Sequence, residues 1–148
     1  MTYVDTVKIV VTDESLIPSY SQPGDAGADL RAAHGYIIYP GERKLVMTGV
    51  KLALPDNVVA LVHPRSGLAL KQGLTVLNTP GTIDSNYRGE IGVILYNSDK
   101  DRSVEIEVGD RIAQLVFQEV LNVKFEQVDS LDSTNRGDGG FGSTGVKN

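Results

Sequence analysis

Apolar residues along this chain recur at every second position far more often than at helical spacing. Val50, Leu52 and Leu54 alternate with Lys51 and Ala53. Val104, Ile106 and Val108 alternate with Ser103, Glu105 and Glu107, and Val123 and Phe125 alternate with Lys124 and Glu126. Such alternation turns one face of a strand inward. Val58-Val-Ala-Leu-Val62 and Ile91-Gly-Val-Ile-Leu95 are continuous apolar runs, the pattern of strands covered on both faces, and 112–120 predicts a longer strand. Turn residues separate these segments at Pro40-Gly41, Pro55-Asp-Asn57, Pro80-Gly81, Asn97-Ser-Asp99 and Gly109-Asp110. One short helix is predicted over 67–72, stopped by Gly73 as its cap. Many short strands between tight turns predict an all-β fold: a sandwich, jelly roll or barrel. No repeat or linker interrupts the pattern, so a single domain is expected.

Composition narrows the chemistry. A chain of 148 residues, 41% hydrophobic and 22% charged, has the make-up of one globular domain with its own core. Cysteine is absent, which excludes a disulfide framework, a thiolate zinc site and a thiol nucleophile. The two histidines, His34 and His63, argue against a His-rich metal centre and a Ser-His-Asp triad. No apolar run approaches the ~18 residues of a membrane span. The opening residues Met1 to Asp5 lack the basic and apolar regions of a signal peptide, so a cytoplasmic location is expected. A net charge of −5 argues against a nucleic-acid polymer as partner but still admits a small phosphate ester held by a few arginines.

Polar and glycine-rich segments fall between the strands. The terminal Arg136-Gly-Asp-Gly-Gly-Phe-Gly-Ser-Thr-Gly145 cannot build a helix or a good strand. Alone, such a terminus is more often a disordered tail. Its composition nonetheless suits a nucleotide: backbone N–H groups, Ser143, Thr144 and Arg136 for an anion, and Phe141 for a flat ring. Asp29, within Asp25-Ala-Gly-Ala-Asp-Leu30, is flanked by small residues, and on its own reads as an Asx-turn entering a strand. Pro64-Arg-Ser-Gly-Leu-Ala69 places Arg65, Ser66 and the Gly67 amide before the short helix. That is either an anion site or simply Ser66 capping the helix. The segment from Asn78 to Glu90 reads as a β-hairpin bending at Pro80-Gly81, with Asp84 and Tyr87 near its closed end and backbone groups able to pair with a nucleobase edge. In Gly109-Asp-Arg-Ile-Ala-Gln-Leu115, Gln114 stands among apolar neighbours and needs a hydrogen-bonding partner, while Arg111 reads as an ion-pair partner.

Together and in this order, these five segments closely resemble the homotrimeric dUTP diphosphatases, over nearly the whole chain from Asp25 to Gly145. The resemblance implies a single-domain jelly-roll-like β-barrel, over 1–131, and a flexible C-terminal arm, over 132–148, that closes over an active site of the trimer. It implies hydrolysis of dUTP to dUMP and pyrophosphate, which keeps uracil out of DNA and supplies dUMP for thymidylate synthesis. Water would attack the α-phosphorus with Asp84 as its activator. Arg65, Ser66 and Gly67 would contact the phosphates, and Gln114 would position the α-phosphate. Asn78, Thr82, Ile83 and Asp84 would belong to the hairpin that reads uracil, and Tyr87 would stack beneath the deoxyribose and exclude a 2′-hydroxyl. Arg136, Gly142, Ser143 and Thr144 would hold the terminal phosphates while Phe141 covers the base. The implied cofactor is Mg²⁺, held by phosphate oxygens and water, with Asp29 reaching it through water at most. Each site would draw on three subunits. Gly92 departs from some relatives, which carry Lys there. Two other readings share the fold: a dCTP deaminase, and a non-catalytic nucleotide-binding trimer.

Overall fold

The structure, a computed structural model, describes residues 5–147. Met1 to Val4, where a signal peptide would begin, and Asn148 lie outside them. Eleven strands form among the described residues: β1 Lys8–Val11, β2 Ala28–Arg31, β3 Tyr36–Ile38, β4 Arg43–Met47, β5 Val50–Ala53, β6 Val58–His63, β7 Leu74–Val76, β8 Gly81–Ile83, β9 Gly92–Asn97, β10 Val104–Ile106 and β11 Arg111–Glu119. A four-stranded sheet runs β2-β11-β6-β8 and a three-stranded sheet runs β4-β9-β7. The pairs β1-β5 and β10-β3 complete a jelly-roll-like barrel in which every ladder is antiparallel. The helix, α1 Ser66–Gln72, lies between β6 and β7 and ends at Gly73, whose φ of 67° lets its N–H reach back to Ala69 O and Leu68 O.

The alternating pattern selects the core. Val50 and Leu52 are buried while Lys51 between them is exposed, and Val104 and Ile106 are buried around exposed Glu105. Leu30, Ile38, Val46, Leu74, Leu95 and Leu115 fill the centre. The two continuous runs behave differently from expectation. Ala60 and Val62 of β6, and Val93 and Leu95 of β9, are buried, but Val59, Leu61 and Ile94 are only half covered. One face of each strand lacks a lid within a single chain.

In β11 strict alternation would put Ile112 and Ala113 on opposite faces. A register irregularity between Arg111 and Ala113 brings both into the core, at 1% and 0% exposure. A bulge of this kind inserts an extra residue and re-aims the side chains that follow.

Three expected strand positions are corrected. Val108 is 66% exposed, because the chain turns at Gly109, whose N–H donates to Ala32 O. Val123 and Phe125 belong to no strand. The last strand ends at Glu119, and every residue from Val120 to Asp138 is exposed, with Leu121 at 89% and Phe125 at 91%. Alternation alone cannot make a strand where the chain offers neither a ladder partner nor a face to cover.

Asn97 is the buried polar hub of this barrel. Its Nδ2 donates to Ile38 O at 3.0 Å and Arg102 O at 2.8 Å, and its Oδ1 accepts from Asp99 N at 3.0 Å. Replacing it with alanine leaves these backbone groups without a partner. The expected loss is about 2–4 kcal/mol, read as a lower denaturation midpoint at unchanged m-value.

Candidate active site

The segment from Asn78 to Glu90 is a hairpin only in outline. β7 pairs with β9, whereas β8 pairs with β6, so the arms on either side of the cis Thr79–Pro80 bond join different sheets. Each arm finds a partner strand longer than itself, and the arms splay. The splay opens a cavity of about 230 Å³ lined by Val62, Val76, Asn78, Gly81, Thr82, Ile83, Asp84, Tyr87 and Gly92. Among the described residues, Asp84 is the only carboxylate on its wall. The loop closes through a turn in which Tyr87 N donates to Asp84 O at 3.1 Å. Tyr87 is 46% exposed, and its hydroxyl donates to Glu90 O at 2.9 Å. Gly92 faces Leu45 Cδ1 and Met47 Sδ, and a Cβ there would meet them at 2.6 and 3.1 Å. A longer side chain at Gly92 requires both to move.

A second cavity, of about 530 Å³, lies on the other side of the four-stranded sheet. The bulge in β11 places Gln114 directly between Asp29 of β2 and His63 of β6. These side chains form one row across the cavity floor. Asp29 is in a strand and not in the expected Asx-turn. Asp29 is buried, and its carboxylate faces Arg65 Nε and Arg111 Nη1, each at 3.5 Å, with Ser21 Oγ donating to it at 2.9 Å. The Arg111 ion pair is as expected. Gln114 Nε2 donates to Pro64 O at 3.2 Å. The glycine in Ala26-Gly27-Ala28 has its own purpose, since a Cβ on Gly27 would collide with the Gln114 amide.

Arg65, not Ser66, is the residue that caps α1, and no side chain bonds the helix's first amides. The simple-cap reading of Ser66 therefore fails. Its hydroxyl stands exposed at the cavity rim beside Gly67, whose surroundings are open. Sequence reasoning did not single out His63. It lines this cavity, and among the described residues its buried Nε2 has no hydrogen-bond partner. Strand parity could have found it: it follows inward-facing Val62 and must point outward.

The cavities share no lining residue. Val62 looks into the first and His63, one position on, into the second, so the sheet stands between them. Asn78, Thr82, Ile83, Asp84 and Tyr87 come together in the first, and Asp29, Arg65, Ser66, Gly67 and Gln114 in the second. Arg136, Phe141, Gly142, Ser143 and Thr144 line neither. The terminal segment folds on itself in glycine turns: Arg136 Nε donates to Gly139 O at 2.8 Å, Ser143 N to Gly140 O at 3.1 Å and Gly145 N to Gly142 O at 2.9 Å. Phe141 is fully exposed at φ 52°, a left-handed conformation uncommon for a residue with a side chain.

Comparison with known proteins gives this geometry its context. The sequence profile of the dUTPase family matches residues 13–145. The deoxyuridine 5'-triphosphate nucleotidohydrolase of Cutibacterium acnes is 53% identical over 142 residues, covering 96% of this chain and 93% of that protein. Its counterpart in Corynebacterium glutamicum is 53% identical over 146 residues, covering 98% of each. Among solved structures, the dUTPase of Staphylococcus bacteriophage 80alpha with dUPNHPP superposes with a TM-score of 0.88 at 29% identity, covering 96% of this chain and 99% of the phage protein.

Proposed function

The chain belongs to the dUTPase family, and we infer that it hydrolyses dUTP to dUMP and pyrophosphate. The observation that carries the residue assignment is the cavity between the splayed arms, where a lone carboxylate and an exposed aromatic ring sit on one small apolar space. In this reading the uracil enters between the arms and pairs with backbone groups of 78–84. The wall at C5 rejects a methyl group, which is worth only about 1–3 kcal/mol unless the pocket is rigid. Asp84 orients and deprotonates the water that attacks the α-phosphorus.

The phosphates belong to the second cavity. Arg65 is held by Asp29, so its guanidinium is already positioned when an anion arrives, and Ser66, Gly67 and Gln114 complete the set. Preorganised donors of this kind stabilise charge as it develops. Magnesium enters as part of the substrate. Among the described residues no cluster of three or more acidic, His or Cys side chains could cage a metal ion, and Asp29 is occupied by its arginines and Ser21. Phosphate oxygens and water suit the ion better. Bound there, it would offset triphosphate charge, with Asp29 touching its water shell at most.

The cavities lie on opposite faces of one sheet, which favours a nucleotide that bridges two chains. The half-covered faces of β6 and β9 and the exposed apolar side chains of 121–131 support a homotrimer. The arm, 132–148, would then close over a neighbour's site, with Arg136, Gly142, Ser143 and Thr144 on the terminal phosphates and Phe141 on the base. We place the barrel domain within 1–131. No helix among the described residues is long and apolar enough to cross a membrane.

Two experiments test this. Turnover of dUTP, dTTP, dCTP and UTP, followed as pyrophosphate and ammonia release, should show pyrophosphate from dUTP alone. Ammonia from dCTP would overturn the reading. Tyr87→Ala should lower the ratio of kcat/KM for dUTP over UTP, because the ring occupies the space of the 2′-hydroxyl. An unchanged ratio would place sugar selection elsewhere.

A further inference from the structure

The Tyr87 ring lies back over its own loop. The hydroxyl reaches past Gly89 to Glu90 O at 2.9 Å. This path exists only because residue 89 has no side chain. A Cβ on Gly89 would collide with Tyr87 Oη and stand 2.5 Å from Cζ and 2.8 Å from Cε1. Gly89 is not among the glycines with positive φ, so backbone conformation does not demand glycine here. The ring does.

The backbone around Gly89 is pinned on both sides, so the ring must yield to an added Cβ. Upstream, Arg88 Nη1 donates to Ser85 O at 2.6 Å. Downstream, Ile91 N donates to Val50 O at 2.8 Å. Ile91 O accepts from Thr48 Oγ1 at 2.7 Å, and Glu90 Oε2 from Gly49 N at 3.3 Å. Thr48 is fully buried.

We propose that Gly89 is a specificity-determining positioning residue for the sugar. By leaving room for the ring against the loop backbone, it lets the Glu90 carbonyl hold Tyr87 as a fixed wall and not a swinging one. A fixed wall rejects a ribose; an untethered ring moves aside for it. The inference rests on the reading of Tyr87 as the surface beneath the sugar.

The test compares Gly89→Ala, Tyr87→Phe and Tyr87→Ala in the full-length enzyme, with dUTP and UTP as substrates. Gly89→Ala should lower the dUTP:UTP ratio of kcat/KM by roughly 10-fold, and Tyr87→Phe, which loses only the hydroxyl tether, by roughly 2- to 10-fold. Selective ring labelling of tyrosine should show the Tyr87 NMR resonances displaced in the free Gly89→Ala enzyme, a readout independent of turnover. Unmoved resonances overturn the proposal. So does a Gly89→Ala enzyme that loses both substrates equally while Tyr87→Ala shifts the ratio; the sugar reading then stands without Gly89. If neither alanine variant shifts the ratio, the sugar reading and the proposal fall together.

Discussion

Asp84→Asn is expected to bind nucleotide and not turn it over. The asparagine keeps the shape of the side chain, and the loop's own bond, Tyr87 N to Asp84 O, is a backbone contact that the change leaves in place. What is lost is the ability to take a proton. Water attacking phosphorus must shed one, and a positioned base contributes about 10²- to 10⁴-fold. Among the described residues no second carboxylate lines the cavity to take over. Pyrophosphate release should therefore fall by roughly 10²-fold or more. Titration calorimetry with a non-hydrolysable dUTP analogue should give an affinity close to wild type. A variant with near-normal kcat would remove Asp84 from the chemistry.

Truncation after Asn135 should leave a folded trimer with little activity. The core lies in residues up to Leu115, and the last strand ends at Glu119. Nothing that stabilises the barrel is deleted. Arg136, Phe141, Ser143 and Thr144 are, and with them the groups assigned to the terminal phosphates and the base. Fully extended, Asp132 to Gly145 could reach roughly 45–50 Å at ~3.3–3.6 Å per residue. A domain of this size has a radius of gyration of roughly 13–15 Å, so the arm can cross to a neighbouring subunit. The decisive measurement mixes the truncated chain with full-length Asp84→Asn. A site that takes its loop from one chain and its arm from another is restored in about a quarter of the sites of randomly mixed trimers. Sedimentation reports the trimer and a pyrophosphate assay the recovery. A monomer, or no recovery despite demonstrated subunit exchange, would defeat the shared site.

Much of the barrel was legible because Lys51 and Glu105 mark which neighbours turn inward, and because Gly73 announces the end of α1. The site was legible differently. Asp84, Tyr87, Arg65 and Ser66 stood out through the company they keep in the chain. Parity errors account for most of what was missed. His63 was counted but given no role, because its parity with Val62 at the end of an apolar run was not followed through. Ile112 and Ala113 both face in, which alternation cannot anticipate without the bulge. Val123 and Phe125 carry the periodicity of a strand, but periodicity describes what a segment could cover, and none of the described residues lies beneath it. The arms around Pro80 were read as partners because they are close in sequence, whereas each pairs with a longer strand contributed from elsewhere.

The bulge in β11 makes one strand serve two masters in a way that constrains variation. From Ala113 to Val116, Ala113 and Leu115 feed the core while Gln114 and Val116 face the second cavity, with Leu115 against Val62 and Gln114 against His63. Inserting a residue between Ala113 and Gln114 would invert that phase for the rest of the strand. Leucine would then surface where phosphate is expected, and glutamine would enter the core. A length change in the Gly109-Asp110 turn is absorbed before the phase is set; one between Ile112 and Leu115 is not. The turn's length can therefore vary while the count of residues from Ala113 on is locked by folding and, in the proposed reading, by the phosphate site as well.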